Sequence, residues 1–230
     1  MRQLPESIWY AVEALHCYNL DPVHREIYLV GEESQSQDEL AEPGVEYTMA
    51  NRFIRNLRFL ELDSKTKPIT VHMKTCGGYW EEGMAIYDAI KLCTAPVTIL
   101  CYTHARSMSS LIFQAADRRV MMPHSYFMFH DGIYADDGTL KQVETRLNFT
   151  QATQTPQMMK VYVDAMQHRG KYMDKNAAQC ERILRKEMDK KEDVFLTAEQ
   201  AIEWGFADEI FDGNWDSFQY AWKPKPLPGE

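Results

Sequence analysis

Ile69-Thr-Val-His-Met73, Gly77-Gly78, Gly83-Met-Ala-Ile-Tyr-Asp-Ala-Ile90, Val97-Thr-Ile-Leu-Cys-Tyr102 and Ala105-Arg-Ser-Met-Ser-Ser110 follow one another along the chain, and their order decides the fold. The first alternates as a half-buried strand does, the glycine pair interrupts it, and Gly83 to Leu92 resumes at helical spacing. Val97 to Tyr102 is a second strand, and Ser107 to Ala116 a second helix. Working outward, Arg25 to Gly31 reads as a short strand ended by glycine. Met49, Phe53, Leu57 and Leu60 fall on one face of a helix spanning Met49 to Glu61. Downstream come a strand from Ser125 to His130 and a long helix from Leu140 to Gln167, which Pro156 should kink. Repeated strand–helix alternation predicts an α/β domain with right-handed crossovers.

The chain's 230 residues are 45% hydrophobic, enough for a core without disulfide or metal staples. Its 25 basic and 34 acidic residues leave a net charge of −9, which argues against a nucleic-acid binder. Cys17, Cys76, Cys93, Cys101 and Cys180 are odd in number and contain no C-x-x-C pair, so a disulfide framework is not expected and a reducing compartment is. Cys101 and His104 have a ligand-like gap but no second pair to complete a metal site. No cofactor is called for. Pro5 and Glu6 interrupt any secretory signal, and no stretch approaches the ~20 apolar residues of a membrane helix. The expected setting is cytoplasmic, without membrane. Ser34 to Glu46, with Pro43-Gly44, reads as a surface loop, and Trp222 to Glu230, rich in proline, as an extended end.

Chemistry has few places to sit. Ser107 lies between a strand and a helix, where it is either a helix cap or a nucleophile beside free N–H groups. The G-x-S-x-G elbow is absent, which disfavours an α/β-hydrolase. Gly77-Gly78 is either an ordinary turn or a place for close backbone approach to a ligand. His130 closes its strand on the face shared by Met128 and Tyr126, opposite Phe127 and Phe129; it is a strand terminus or a general base. Arg185 to Asp193 is a mixed charge run, by default a solvated helix end, from which a carboxylate could orient His130. A serine nucleophile needs a base, an orienting group and oxyanion donors, and the chain offers a candidate for each.

Read together, the ordered blocks resemble ClpP, the proteolytic subunit of the Clp protease. Met49 to Glu61 is similar to the family's first long helix. Met73-Lys-Thr-Cys-Gly-Gly78 stands in place of I-N-S-P-G-G, and Gly83 to Ile90 in place of G-M-x-I-Y-D-x-M. Ala105-Arg-Ser-Met-Ser-Ser110 stands for A-A-S-M-G-A, and Pro123 to His130 for P-x-S-x-x-M-I-H. Phe195 to Asp208 resembles F-x-x-A-x-E-A-x-x-Y-G-x-x-D.

The resemblance implies the ClpP/crotonase fold, stacked strand-strand-helix turns with a projecting long helix. The protease domain would span residues 25–212, between an N-terminal segment (1–24) and a tail (213–230). It implies Ser107 as nucleophile, His130 as general base, Asp189 as the triad aspartate, and N–H groups of Gly78 and Met108 as the oxyanion hole. Asp131 and Asp193 are rival carboxylates. It further implies heptameric rings paired into a barrel by the long helix, and polypeptide substrates held by β-addition. Because no G-x-x-x-x-G-K-[ST] loop is present, ATP-driven unfolding would come from a separate AAA+ partner.

The departures are Cys76 for proline, Thr103 for glycine, Arg106 for a small residue and Ser109 for glycine, with Asp131-Gly132 for Q-P. Two segments are longer than in the family, Ser34 to Glu46 and Arg169 to Cys180. Such divergence suits a phage-type or accessory member. Two alternatives stay open: a catalytically silent ring subunit, and an acyl-CoA enzyme of the crotonase fold needing no Ser–His pair.

Overall fold

Strand pairing carries the architecture of the computed structural model, which describes residues 6–31 and 42–220. β1 (Leu20–Asp21) runs antiparallel to β2 (Glu26–Val30), and β2, β3 (Ile69–Thr75) and β4 (Val97–Arg106) are parallel. α1 (Glu6–Tyr18) precedes β1, and the crossovers are α2 (Tyr47–Asp63) and α3 (Trp80–Leu92). On the edge away from β3, β4 is long enough to serve two further partners. Its first half pairs with β5 (Arg118–Met121), which continues to β8 (Glu209–Ile210), and its last residues pair with β6 (Tyr126–Phe129). β7 (Val194–Thr197) returns antiparallel to β6. These strands and helices form a mixed α/β fold around one eight-stranded sheet among the described residues.

β3 departs from the half-buried expectation. Ile69, Val71 and Met73 are fully buried, but so are Thr70 and His72, at 9% and 4% exposure. Both faces of this central strand are covered, as in parallel sheets generally. On the His72 side, Tyr28 stacks on the imidazole at 4.5 Å, with Tyr102 and Trp215 alongside. Phe53, Leu57, Leu60, Ile86 and Ile90 of α2 and α3 are buried in the main core. Of the expected loop 34–46, residues up to 41 lie outside the described residues. Val45 is buried and makes an isolated bridge to Gly78, so the end of that stretch packs against the glycine pair.

The long helix comes in two parts, α5 (Leu140–Phe149) and α6 (Thr155–His168), joined by a π turn over Thr150–Gln154. Pro156 sits in the first turn of α6. Its missing N–H leaves no donor for the α-helical ladder there, and the wider turn resets the register. α5 buries no residue, whereas α6 buries Met158, Met159, Tyr162 and Met166. The charge run is the end of α7 (Ala177–Lys191), begun by an Asn176–Gln179 capping box. After β7 come α8 (Ala198–Trp204) and, near the C-terminal end, α9 (Trp215–Tyr220). The tail from residue 221 lies outside the described residues.

Candidate active site

β4 delivers Ser107 to the turn before α4 (Met108–Gln114) in a strained backbone, φ 50° and ψ −131°. Positive φ in a residue with a Cβ costs free energy and needs surroundings that enforce it. Two serines do so. Ser109 Oγ accepts from Arg106 N–H (3.0 Å) and donates to Arg106 C=O (2.7 Å), while Ser110 Oγ donates to Ser107 C=O (2.6 Å). Ser107 stands at the cap position but makes no side-chain cap bond. Its hydroxyl lies 3.0 Å from His130 Nε2.

His130 follows β6 and shares its face with Met128 and Tyr126, while Phe127 and Phe129 are buried on the other. Its second nitrogen, Nδ1, lies 3.1 Å from Asp193 Oδ1. With the proton on Nδ1, the imidazole donates to the carboxylate and offers Nε2 as acceptor to the Ser107 hydroxyl. The His130 side chain is 14% exposed and that of Asp193 51%.

The structure sets Asp193, rather than the expected Asp189, against His130, and register explains why. β6 and β7 pair antiparallel, with Tyr126 opposite Thr197 and Phe129 opposite Val194. One step further, His130 comes opposite Asp193. Asp189 is still within α7, exposed among Arg182, Arg185, Lys186 and Lys190. The helix stops at Lys191, and Glu192, at φ 59°, turns the chain into the strand. Asp131, the other rival, is exposed beyond β6.

The glycine pair closes the other side. Gly77 (φ 99°) lies so near the serine turn that a Cβ would stand 2.8 Å from Ser107 Cβ and 2.9 Å from Met108 N. At Gly78 (φ 149°) a Cβ would fall 2.2 Å from Val45 O. Val45 N–H donates to Gly77 C=O and Tyr79 N–H to Val45 C=O (3.0 Å). In that parallel pairing Gly78 spends no ladder bond on Val45, so its N–H faces the opposite edge. The Gly77-Gly78 backbone thus closes against the Ser107–Met108 turn. Gly83, on α3, makes room for the Met108 side chain, whose Cγ would lie 2.1 Å from a Cβ there.

Two of the departures noted in the sequence, Arg106 and Cys76, are held by contacts of their own. The Arg106 guanidinium is drawn aside toward Tyr126 Oη and Glu42, both at 3.5 Å. His104 Nε2 is 2.9 Å from the same carboxylate. Burial holds His104 below the usual histidine value although Glu42 pulls the other way. The Cys76 thiol donates to Glu42 C=O at 3.4 Å. Only the identities of Arg106, Cys76 and His104 were visible in the sequence; the Glu42 cluster needs the chain beyond the loop to return beside β3. Among the described residues no group of three or more His, Cys, Asp and Glu forms a metal site. No described helix is long and apolar enough to cross a membrane.

The family model described as Clp protease matches residues 39–214. The ATP-dependent Clp protease proteolytic subunit of Deinococcus radiodurans is 29% identical over 170 residues, 73% of this chain and 76% of that protein. The ATP-dependent Clp protease proteolytic subunit 1 of Protochlamydia amoebophila is 32% identical over 165 residues, 71% of this chain and 74% of that protein.

Proposed function

The chain belongs to the Clp protease family, and from that premise we propose that it is a serine endopeptidase cleaving unfolded polypeptides and short peptides. The observation that carries the reading is the continuous line from Ser107 Oγ through His130 to Asp193, with steps of 3.0 and 3.1 Å. His130 Nε2 takes the Ser107 proton as Oγ attacks the scissile carbonyl. Asp193 holds the tautomer and offsets the imidazolium charge. The N–H groups of Gly78 and Met108 receive the oxyanion of the tetrahedral intermediate. His130 then gives its proton to the leaving amine, and water repeats the sequence on the acyl-enzyme.

Assembly belongs to the same proposal: heptameric rings, paired into a barrel and fed by an AAA+ unfoldase. The kinship supports it, as does the solvent-facing α5, on which Leu140 and Phe149 are 86% and 61% exposed. The five free cysteines support a cytoplasmic setting. The test is hydrolysis of a fluorogenic peptide by the purified protein. Turnover abolished by Ser107→Ala supports the reading, and turnover untouched by it refutes it.

A further inference from the structure

Ser107 C=O and Met108 N–H belong to one planar trans peptide, so whatever fixes the oxygen also aims the N–H. The oxygen is held by Ser110 N–H (3.0 Å) and by Ser110 Oγ (2.6 Å). Ser110 Oγ is in turn 2.7 Å from Tyr162 Oη. A serine hydroxyl has one proton, and here the carbonyl, which can only accept, takes it. Tyr162 is therefore the donor at the second contact, and the relay runs Tyr162 O–H to Ser110 O–H to Ser107 C=O. Both residues are buried, Ser110 at 0% and Tyr162 at 1% exposure. The Tyr162 ring is boxed by Phe127, Phe129 and Phe206 at centroid distances of 6.4, 5.8 and 5.7 Å. Burial pushes the phenol far above its ordinary value, so it stays a donor throughout the working pH range.

We infer that Tyr162 and Ser110 are positioning residues: they lock the Ser107–Met108 peptide plane so that Met108 N–H points at the developing oxyanion. This rests on the reading of Ser107 as nucleophile and deepens it. The motif that residues 105–110 resemble has alanine where Ser110 stands, so the hydroxyl pair is a departure from that pattern. Tyr162 lies on α6, one π turn beyond the solvent-facing α5, so the relay also ties that helix to the reacting centre.

The test compares Tyr162→Phe, Ser110→Ala and the double variant in the full chain. Readouts are peptide kcat and KM, the rate of fluorophosphonate labelling, and the pH dependence of both. Losing one oxyanion donor outright typically costs about 10²–10³ in kcat, and misaiming it should cost part of that. We expect Tyr162→Phe to lower kcat about tenfold and to slow labelling in proportion, with KM within about twofold. The pH midpoint should not move, because the Ser107–His130–Asp193 contacts are untouched. The double variant should lose no more than the worse single one, since the two hydroxyls act as a unit. If Tyr162→Phe fails to fold, Ser110→Ala carries the kinetic test alone. Unchanged kcat, losses that multiply in the double variant, or a fall confined to KM would overturn the inference and leave the role of Ser107 standing. A parent protein that neither cleaves peptide nor takes the label would overturn the underlying reading and this inference with it.

Discussion

Replacing Asp193 by asparagine separates the carboxylate that the structure sets on His130 from the one four residues earlier. At 3.1 Å, the Asp193 carboxylate meets an imidazole that becomes positive in the transition state. Two unit charges about 4 Å apart gain roughly 1 kcal/mol in water and about 4 kcal/mol at an effective dielectric near 20. Asp193 is half exposed, which places its share toward the middle of that range. Asparagine adds a second loss, because its amide can donate to Nδ1 and favour the unproductive tautomer. For a fully buried carboxylate the combined effect is about 10⁴ in kcat. With half the side chain in water, we expect Asp193→Asn to lower kcat about 10²–10³-fold with little change in KM. Asp189→Asn should remain within about twofold of the parent, as exposed surface changes usually do. The assay is steady-state hydrolysis of a fluorogenic peptide, with fluorophosphonate labelling as a single-turnover check. If Asp189→Asn were the damaging change, or Asp193→Asn were harmless, the register argument would be refuted.

Further expectations follow from the packing. Gly77→Ala should abolish peptide cleavage, since its Cβ would meet Ser107, Arg106 and Met108 within 2.9 Å, whereas Gly132→Ala, with similar φ but nothing within 4 Å, should cost only about 1 kcal/mol in denaturant unfolding. Arg25→Ala should lower stability by about 2–4 kcal/mol, because the buried guanidinium binds Asp63 and the carbonyls of Leu60, Ser64, Lys67 and Pro68, each of which would lose the Arg25 hydrogen bond. Burial pushes the Asp208 carboxyl up, but hydrogen bonds and charge from Arg119 outweigh it and hold it below the usual carboxylate value. A depressed folded-state pKa gives stability that is present above the unfolded value of about 3.9 and is lost as pH falls through the folded one. Thermal melting of the parent should therefore fall with acidification below about pH 4, and Asp208→Asn should flatten that limb while lowering stability at neutral pH.

Much of the fold was legible because apolar runs and the turn residues between them bound its elements: β3, β4, β6, α2 and α3 lie where these place them, although both faces of β3 are buried. β5 and β7 are short, and β7 alternates buried Val194 and Leu196 with exposed Phe195, so its apolar exterior masks the period. The resemblance pointed to Asp189 by its distance from Phe195, whereas the pairing of β7 brings Asp193 to His130. Once β7 is recognised as the antiparallel partner of β6, the pairing of His130 with Asp193 is a matter of counting; without it, a charge run offers several carboxylates and no geometry. Ser107 and His130 could be singled out because each ends a strand at a turn, where side chains are free to meet. The bracing of Ser107 by Ser109, Ser110 and Tyr162 was not legible, since buried hydroxyls have no periodicity and Tyr162 reads as one more apolar position on its helix. The π turn, by contrast, was foreshadowed by Pro156, whose missing N–H has a local and calculable effect.

Intact mass after fluorophosphonate treatment, on each oligomeric fraction of the parent and of Ser107→Ala, decides whether Ser107 is an activated nucleophile. An activated serine predicts a single adduct on the parent and none on the variant. A parent that takes no adduct in any fraction, or a variant that is still labelled, would contradict it.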